Sequence, residues 1–541
     1  MENSSLKPNV AKAGGIMMAS IFLSRVLGIG RDTIMVSQFG RDAITDAYRL
    51  AFQVPDLFFY LLASGALSSA FIPVFSEYFH TGKKEEAWKV FSVVVTIMST
   101  VLLGLLGFAW IFAEPLIHLV APGKSSTLIP LIVQMSRILI PAQFAFLIGG
   151  LMFGTLYARQ QFIAPGLSPN IYNIGIILGA LLLSHFVVPG IVGLTWGALV
   201  GAILGNLIIP LWIMKRIGSS FKPSFNLRHP GVQKIFKLML PVVLGLSLPA
   251  LYHIIMQGIG SFYPDGVNTS LDLSNKLMQA PLGIFGQSLA LAAFPALAQF
   301  FAQGRLDLYG DQLSRTLRTI LYITLPVSLI MYILAPDIVA AVLQYGKFNA
   351  NDTADVAACL QMFSLGIAAW CLQPVLMRAY YAIQNTIKPV LFGTLTTGIF
   401  AILALMLRHS SLGYLALPLA CSIAAISLVV MMLASLCRDV GNINVPEIFH
   451  TFLKASLACV GAGAFLLTGN ALFPTGEGGA RNVLAFVRLA VLGLGGIWIY
   501  YGLTSWLKMP ETKTLKRVFA KLSFPKKPSV SSTTEGKLSP S

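Results

Sequence analysis

The sequence predicts an all-α integral membrane protein of about fourteen transmembrane helices, built as two six-helix lobes in parallel pseudo-repeat plus two C-terminal helices. Three observations predict it: too little charge for a water-exposed surface, a succession of apolar stretches of spanning length, and an internal repeat. Of 541 residues, 56% are hydrophobic and only 11% charged, and the mean hydropathy is +0.76. A soluble domain carries roughly 25% charged residues, so the bilayer is the natural solvent.

A helix needs ~20 apolar residues to cross the hydrocarbon core. Such segments lie near 14–38, 43–76, 90–113, 128–156, 166–188, 191–214, 236–262, 271–300, 316–335, 354–382, 390–407, 412–437, 449–470 and 483–507. The first is too long for a signal sequence and is interrupted by Arg25, Arg31 and Asp32, so it is expected to be retained.

The net charge of +17 raises nucleic-acid binding, but its location argues against it. Six basic residues and no acid fall in 215–237, and eight basic residues against two acids lie from Lys508 onward. Beside apolar spans, such clusters mark the cytoplasmic side and meet anionic membrane lipids. Lys7, Lys12, Lys83, Lys84, Lys89, Arg305, Arg315 and Arg318 fall on that same side. The opposite side shows mainly Arg41, Lys124, Lys347, Arg408 and Arg481. Both termini are thus expected in the cytoplasm, at a membrane crossed many times. The five cysteines are scattered through apolar stretches and read as small buried hydrophobes.

The stretch LYARQQFIAP (156–165) matches YYAIQNTIKP (380–389) at an offset of 224. Pro73 matches Pro295 and Gly82–Lys83 matches Gly304–Arg305 at 222, while Gly123–Lys124 matches Gly346–Lys347 at 223. Four matches in order indicate duplication. Six spans per unit, an even number, make the halves parallel, as in transporters with alternating access. The expected units are 1–214, a basic linker 215–235, 236–437, a terminal helix pair 438–507, and a basic tail 508–541.

Ionisable residues inside a span cost at least ~2.5–3.5 kcal/mol each and generally face a cavity or a partner. Arg25 and Asp32 lie seven residues apart, on one helical face; Arg31 points elsewhere unless the helix bends near Gly28 and Gly30. In the second span, Asp46, Arg49, Gln53 and Asp56 follow i, i+3, i+7, i+10 spacing, a polar stripe of about three turns. Lys276 lies early in the eighth span, the counterpart of the second. The competing readings are snorkelling for the basic residues, difficult for Arg25 at ~16 Å into its span, and a helix-start role for Asp46. Arg137 and Arg378 fit either. Cations in a wet cavity suit an anionic headgroup, since Arg forks match phosphate oxygens.

No nucleotide or metal motif is visible: the GKS at 123–125 has His118 where a phosphate loop needs glycine, and the histidines are far apart. No cofactor is expected, and the energy source is expected to be an ion gradient or the membrane potential.

The segments SRVLGIGRD (24–32), TDAY (45–48), GALSSAFIPVFSEY (65–78), QYGKF (344–348) and RAYYAIQNTIKP (378–389) together closely resemble the MurJ (MviN) family of lipid II flippases. The resemblance covers nearly all of the chain through the last span. It implies the multidrug/oligosaccharidyl-lipid/polysaccharide exporter fold, with a central cavity and a terminal helix pair forming a groove for the lipid tail. It implies a flippase, not an enzyme, moving undecaprenyl-pyrophosphate-linked peptidoglycan precursor between leaflets, beside the peptidoglycan synthesis machinery. On this reading Arg25, Arg31, Arg49 and Lys276 would bind the substrate, with Ser24, Asp32, Asp46, Gln53 and Asp56 supporting or gating. Lys276 stands where the family often has an arginine. In PDLFFY (55–60), Phe59 occupies another arginine position, and Ser64 replaces a glutamate. Thr394, Thr396 and Thr397 come without an acid where some members hold sodium. A sister exporter of another polyprenyl-linked glycan would share these features. A membrane enzyme acting on polyprenyl phosphates would call for acidic or histidine clusters at the membrane face.

Overall fold

The computed structural model describes residues 6–62, 66–159, 161–441, 443–473 and 481–512, and among them the chain is helical with no strand. Among the described residues, ten helices are long and apolar enough to cross a membrane, or eleven with Ala350–Ser364 and Ile367–Ala382 counted as one span bent by 47°. The expected first, second and seventh spans fall outside that count. They are helical nonetheless, over Leu6–Phe39, in three pieces between Ala43 and His80, and over Pro230–Gly260.

The second span is broken where the sequence suggests one helix. Ala43–Ala51 ends at Phe52, and Gln53–Leu62 starts a new helix. Pro55 has no N–H to give the Ala51 carbonyl one turn back, which places the break there.

The repeat is visible in the helix boundaries. Lys84–Ile111 and Leu306–Ile333 are both 28 residues long and begin 222 positions apart. Ala113–Val120 and Ala335–Leu343 keep that offset, and Ile163–Leu181 and Ile387–Leu407 begin 224 apart. Pro73 and Pro295 lie inside equivalent helices. The turns after those helices use Gly82 (φ +84°) and Gly304 (φ +69°), in the left-handed region where a side chain is strained.

Small residues set the closest helix contact. A Cβ at Gly175 would lie 2.6 Å from the Gly197 carbonyl, and one at Gly197 would lie 2.8 Å from Gly179 Cα. Ile163–Leu181 and Val192–Ala202 therefore meet backbone to backbone, as small residues permit in membranes.

The segment 217–229 contains no regular helix and lies along Lys84–Ile111. There the Lys222 N–H donates to Ser92 Oγ (3.1 Å) and the Ser224 N–H to Thr96 Oγ1 (3.3 Å). Val445–Leu472 and Arg481–Trp506 pack on Leu306–Ile333. Tyr500 donates to the Tyr322 carbonyl (2.9 Å), Asn482 donates to the Gln344 carbonyl (2.6 Å), and buried Arg488 faces Asp337 at 3.3 Å. Of the basic tail, only Lys508–Thr512 belong to the described residues.

Candidate functional site

A cavity of about 340 Å³ lies where the two halves meet. The first helix supplies Arg31, the broken second span Arg49, Gln53 and Asp56, and the second half His253, Asp272 and Lys276. Tyr48, Phe52, Phe146 and Tyr172 form its aromatic wall. Arg31, Arg49, Asp272 and Lys276 can line it because they are paired with opposite charges, since an isolated charge would be expelled.

Two carboxylates organise the cations. Asp32 faces Arg31 (3.1 Å), Arg49 (3.2 Å) and Lys276 (2.9 Å). Asp272 faces Arg49 (2.8 Å) and Lys276 (2.8 Å), with His253 Nε2 at 3.8 Å. Asp32 and Arg49 belong to the first half, Asp272 and Lys276 to the second, so two of these pairs cross between halves. Gln53 and Gln143 also line the cavity, and each has a buried side-chain carbonyl oxygen with no hydrogen-bond partner among the described residues.

Arg31 reaches the cavity from a helix that runs unbroken over Leu6–Phe39. Its Nη1 donates to Asn173 Oδ1 (3.0 Å). Asn173 Nδ2 donates in turn to Ser24 Oγ (3.3 Å) and to the Ser24 carbonyl (3.2 Å). Ser24 thus holds the residue that orients Arg31.

Two expected cavity residues lie elsewhere. Arg25 is exposed and does not line the cavity. Two turns before Asp32, its guanidinium lies over Gly283 in the seam between the first helix and Val267–Ala302; a Cβ there would come within 2.7 Å of Arg25 Cζ. Arg25 has no ion pair among the described residues. Asp46 is fully buried, outside the cavity. Of the stripe expected from Asp46 to Asp56, Arg49, Gln53 and Asp56 line the cavity across the break at Phe52, and Asp46, on the same helix as Arg49, does not.

Asp46 instead ties the halves at one end of the bundle. It pairs with Lys124 (2.7 Å) and accepts from the Gly266 N–H (2.9 Å) and the Thr269 N–H and hydroxyl (both 2.8 Å). Those N–H groups open the helix Val267–Pro281, so a carboxylate of one half caps a helix of the other. Lys124 also pairs with Asp265 (2.9 Å). Nearby, Arg41 pairs with Asp352 (3.2 Å) and with Asp355, and the Lys347 N–H donates to the Ser37 carbonyl (2.8 Å). Phe59 lies in the helix Gln53–Leu62, but its side chain and the whole of Ser64 lie outside the described residues.

The sequence model of the family described as lipid II flippase MurJ matches residues 35–479. The chain belongs to that family. A probable lipid II flippase MurJ of Buchnera aphidicola subsp. Acyrthosiphon pisum is 31% identical over 68% of this chain and 72% of its own. One from Bdellovibrio bacteriovorus is 26% identical over 95% of this chain and 99% of its own. Among solved structures, a lipid II flippase MurJ in an inward closed conformation superposes with a TM-score of 0.75 at 26% identity, covering 90% of this chain and 98% of that one. An inward-facing MATE family transporter of the MOP superfamily superposes at 0.65 with 15% identity, over 79% of this chain and 98% of its own, a likeness of fold alone. The family is one of flippases, and its members are transporters.

Proposed function

We propose that this chain moves lipid II from the inner to the outer leaflet by alternating access, with the pyrophosphate held in the cavity between halves. The observation that carries the reading is the convergence of Arg31, Arg49 and Lys276 on one intramembrane cavity. Two guanidinium forks and an ammonium match a diphosphate. The open carbonyl oxygens of Gln53 and Gln143 would accept from sugar or peptide donors of the headgroup, and the aromatic wall would stack on the sugar.

Asp32 and Asp272 serve as internal counter-ions that the pyrophosphate displaces. Asp46 and Lys124, with Arg41 and Asp352, close the face that the distribution of basic residues assigns to the outside. Both termini then lie in the cytoplasm. The units 1–214 and 236–437 rock against each other, joined by 215–235. The pair 438–507 carries the lipid tail. Moving an anionic headgroup away from a negative cytoplasm gains ~2.3 kcal/mol per charge per 100 mV, so the membrane potential suffices as a driving force.

Depleting the protein in cells without another flippase, and probing outer-leaflet lipid II, tests this. Outer-leaflet lipid II should collapse; unchanged exposure would overturn the reading.

A further inference from the structure

A second cleft lies away from the cavity, against the face that carries the basic residues of 305–318. Its volume is about 490 Å³, and it is enclosed by Val267–Ala302, Leu306–Ile333 and the segment after the last helix. One wall is apolar, made by Leu289, Ala292 and Ala293. The facing wall presents Gln312, Arg315 and Thr319, whose i, i+3, i+7 spacing puts them on one helix face.

Charge in this cleft is unevenly spent. Arg318 is committed: it pairs with Glu511 (2.7 Å) and with Glu447, and Thr451 also donates to Glu511 (3.2 Å). Glu511 is thereby held through Oε1, while its Oε2 is buried with no hydrogen-bond partner among the described residues. Arg315, one turn earlier, is exposed and has no ion pair among the described residues. An uncommitted guanidinium beside hydroxyl and amide groups, facing an apolar wall, fits a phosphate group carrying a hydrocarbon chain. A lone snorkelling arginine would need neither the cleft nor that wall.

The cleft and the cavity share an element. Lys276 lies in the cavity, and Ala293 lies in the cleft, 17 residues later in the same helical stretch Val267–Ala302. At 1.5 Å per residue that is at most ~25 Å, enough to cover the ~20 Å from the membrane surface to the middle of the bilayer.

We infer that this cleft is a loading site, in which Arg315 holds the diphosphate of the polyprenyl substrate at the inner surface before it enters the cavity. The inference rests on the transport reading above. A diphosphate held there gains charge-assisted hydrogen bonds, while the first isoprene units lie on Leu289 and Ala293.

The test uses full-length protein in phosphatidylcholine vesicles containing graded lipid II, with flipping rate measured against lipid II content. Arg315→Gln should raise the half-saturating content about tenfold, the loss expected for one charge-assisted hydrogen bond, and lower the saturating rate far less. Arg315→Lys should recover part of the shift. Superimposable curves for wild type and Arg315→Gln overturn the loading site while leaving the transport reading standing. No flipping by wild type fails the transport reading and the loading site with it. Adding excess phosphatidylglycerol separates the sources of phosphate. An unchanged difference between wild type and variant supports a site for the diphosphate lipid, and its disappearance overturns that in favour of a general anionic-lipid cleft.

Discussion

Arg49 Nη1 lies 2.8 Å from a carboxylate oxygen of Asp272, and the two residues come from opposite halves of the molecule. The same Arg49 reaches Asp32 in its own half at 3.2 Å. Lys276 mirrors it, between Asp272 at 2.8 Å and Asp32 at 2.9 Å. The cations of the cavity are therefore paired within the protein, and an arriving anion must compete with two carboxylates already in place.

Removing one competitor should separate binding from turnover. Asp272→Asn frees Arg49 and Lys276 for the pyrophosphate and removes the group that reclaims them on release. Lipid II should bind about tenfold more tightly and flip at least several-fold more slowly, as read by equilibrium binding and by vesicle flipping. Weaker binding with slower flipping would mean that Asp272 acts only as a structural partner.

Arg49→Ala removes a cation shared by two carboxylates and leaves both less compensated. Losing one partner of a buried pair costs ~3–5 kcal/mol. Lower thermal stability and loss of complementation are both expected, so Arg49→Lys is the informative companion. It keeps the charge and loses the fork, and should restore stability more fully than flipping. Equal recovery of both would remove the case for bidentate recognition.

The end of the bundle held by Asp46 should loosen when its charge is removed. Asp46→Asn weakens the pair with Lys124 and the cap on Gly266 and Thr269. Spin labels at the exposed positions Asp42 and Asn351 report the separation of the halves there. Longer distances should become at least about tenfold more populated, since a broken buried pair exceeds 1.4 kcal/mol. An unchanged distance distribution would show that this junction does not set the conformational balance.

Helix packing gives a prediction independent of transport. Gly197→Ala places a methyl group against Gly175 and Gly179 backbone atoms. Overpacking of this kind costs ~1–3 kcal/mol and should lower the thermal midpoint. Gly104→Ala, with open space around the new atom, should leave it unchanged or raise it.

Much of this was legible in the sequence. Apolar length gave the helices, and shared punctuation such as Gly82 with Gly304 gave the register of the repeat. Arg31, Arg49, Gln53, Asp56 and Lys276 stood out because lipid excludes such groups. Asp272 lies one turn before Lys276 at the edge of an apolar stretch, where a carboxylate is ordinary and its place in the cavity shows only in the fold. His253 is a lone histidine in its apolar span, and nothing near it in sequence marks its approach to Asp272. Lys124 and Asp265 sit in loops, where charge is ordinary; only the fold brings them to Asp46. Arg25 was misplaced because a seven-residue spacing fixes a helix face but not what packs against each turn. Asp46 leaves the stripe for a similar reason: Lys124, Gly266 and Thr269, brought to it only by the fold, hold its carboxylate outside the cavity.

The most direct test of the central claim measures lipid II flipping by purified protein in vesicles, comparing wild type with the double variant Arg49→Ala/Lys276→Ala at equal incorporation and at a temperature well below both thermal midpoints. The account predicts rapid flipping by wild type and a rate for the double variant no higher than in protein-free vesicles. Flipping by the double variant at the wild-type rate would show that the cavity cations do not hold the headgroup.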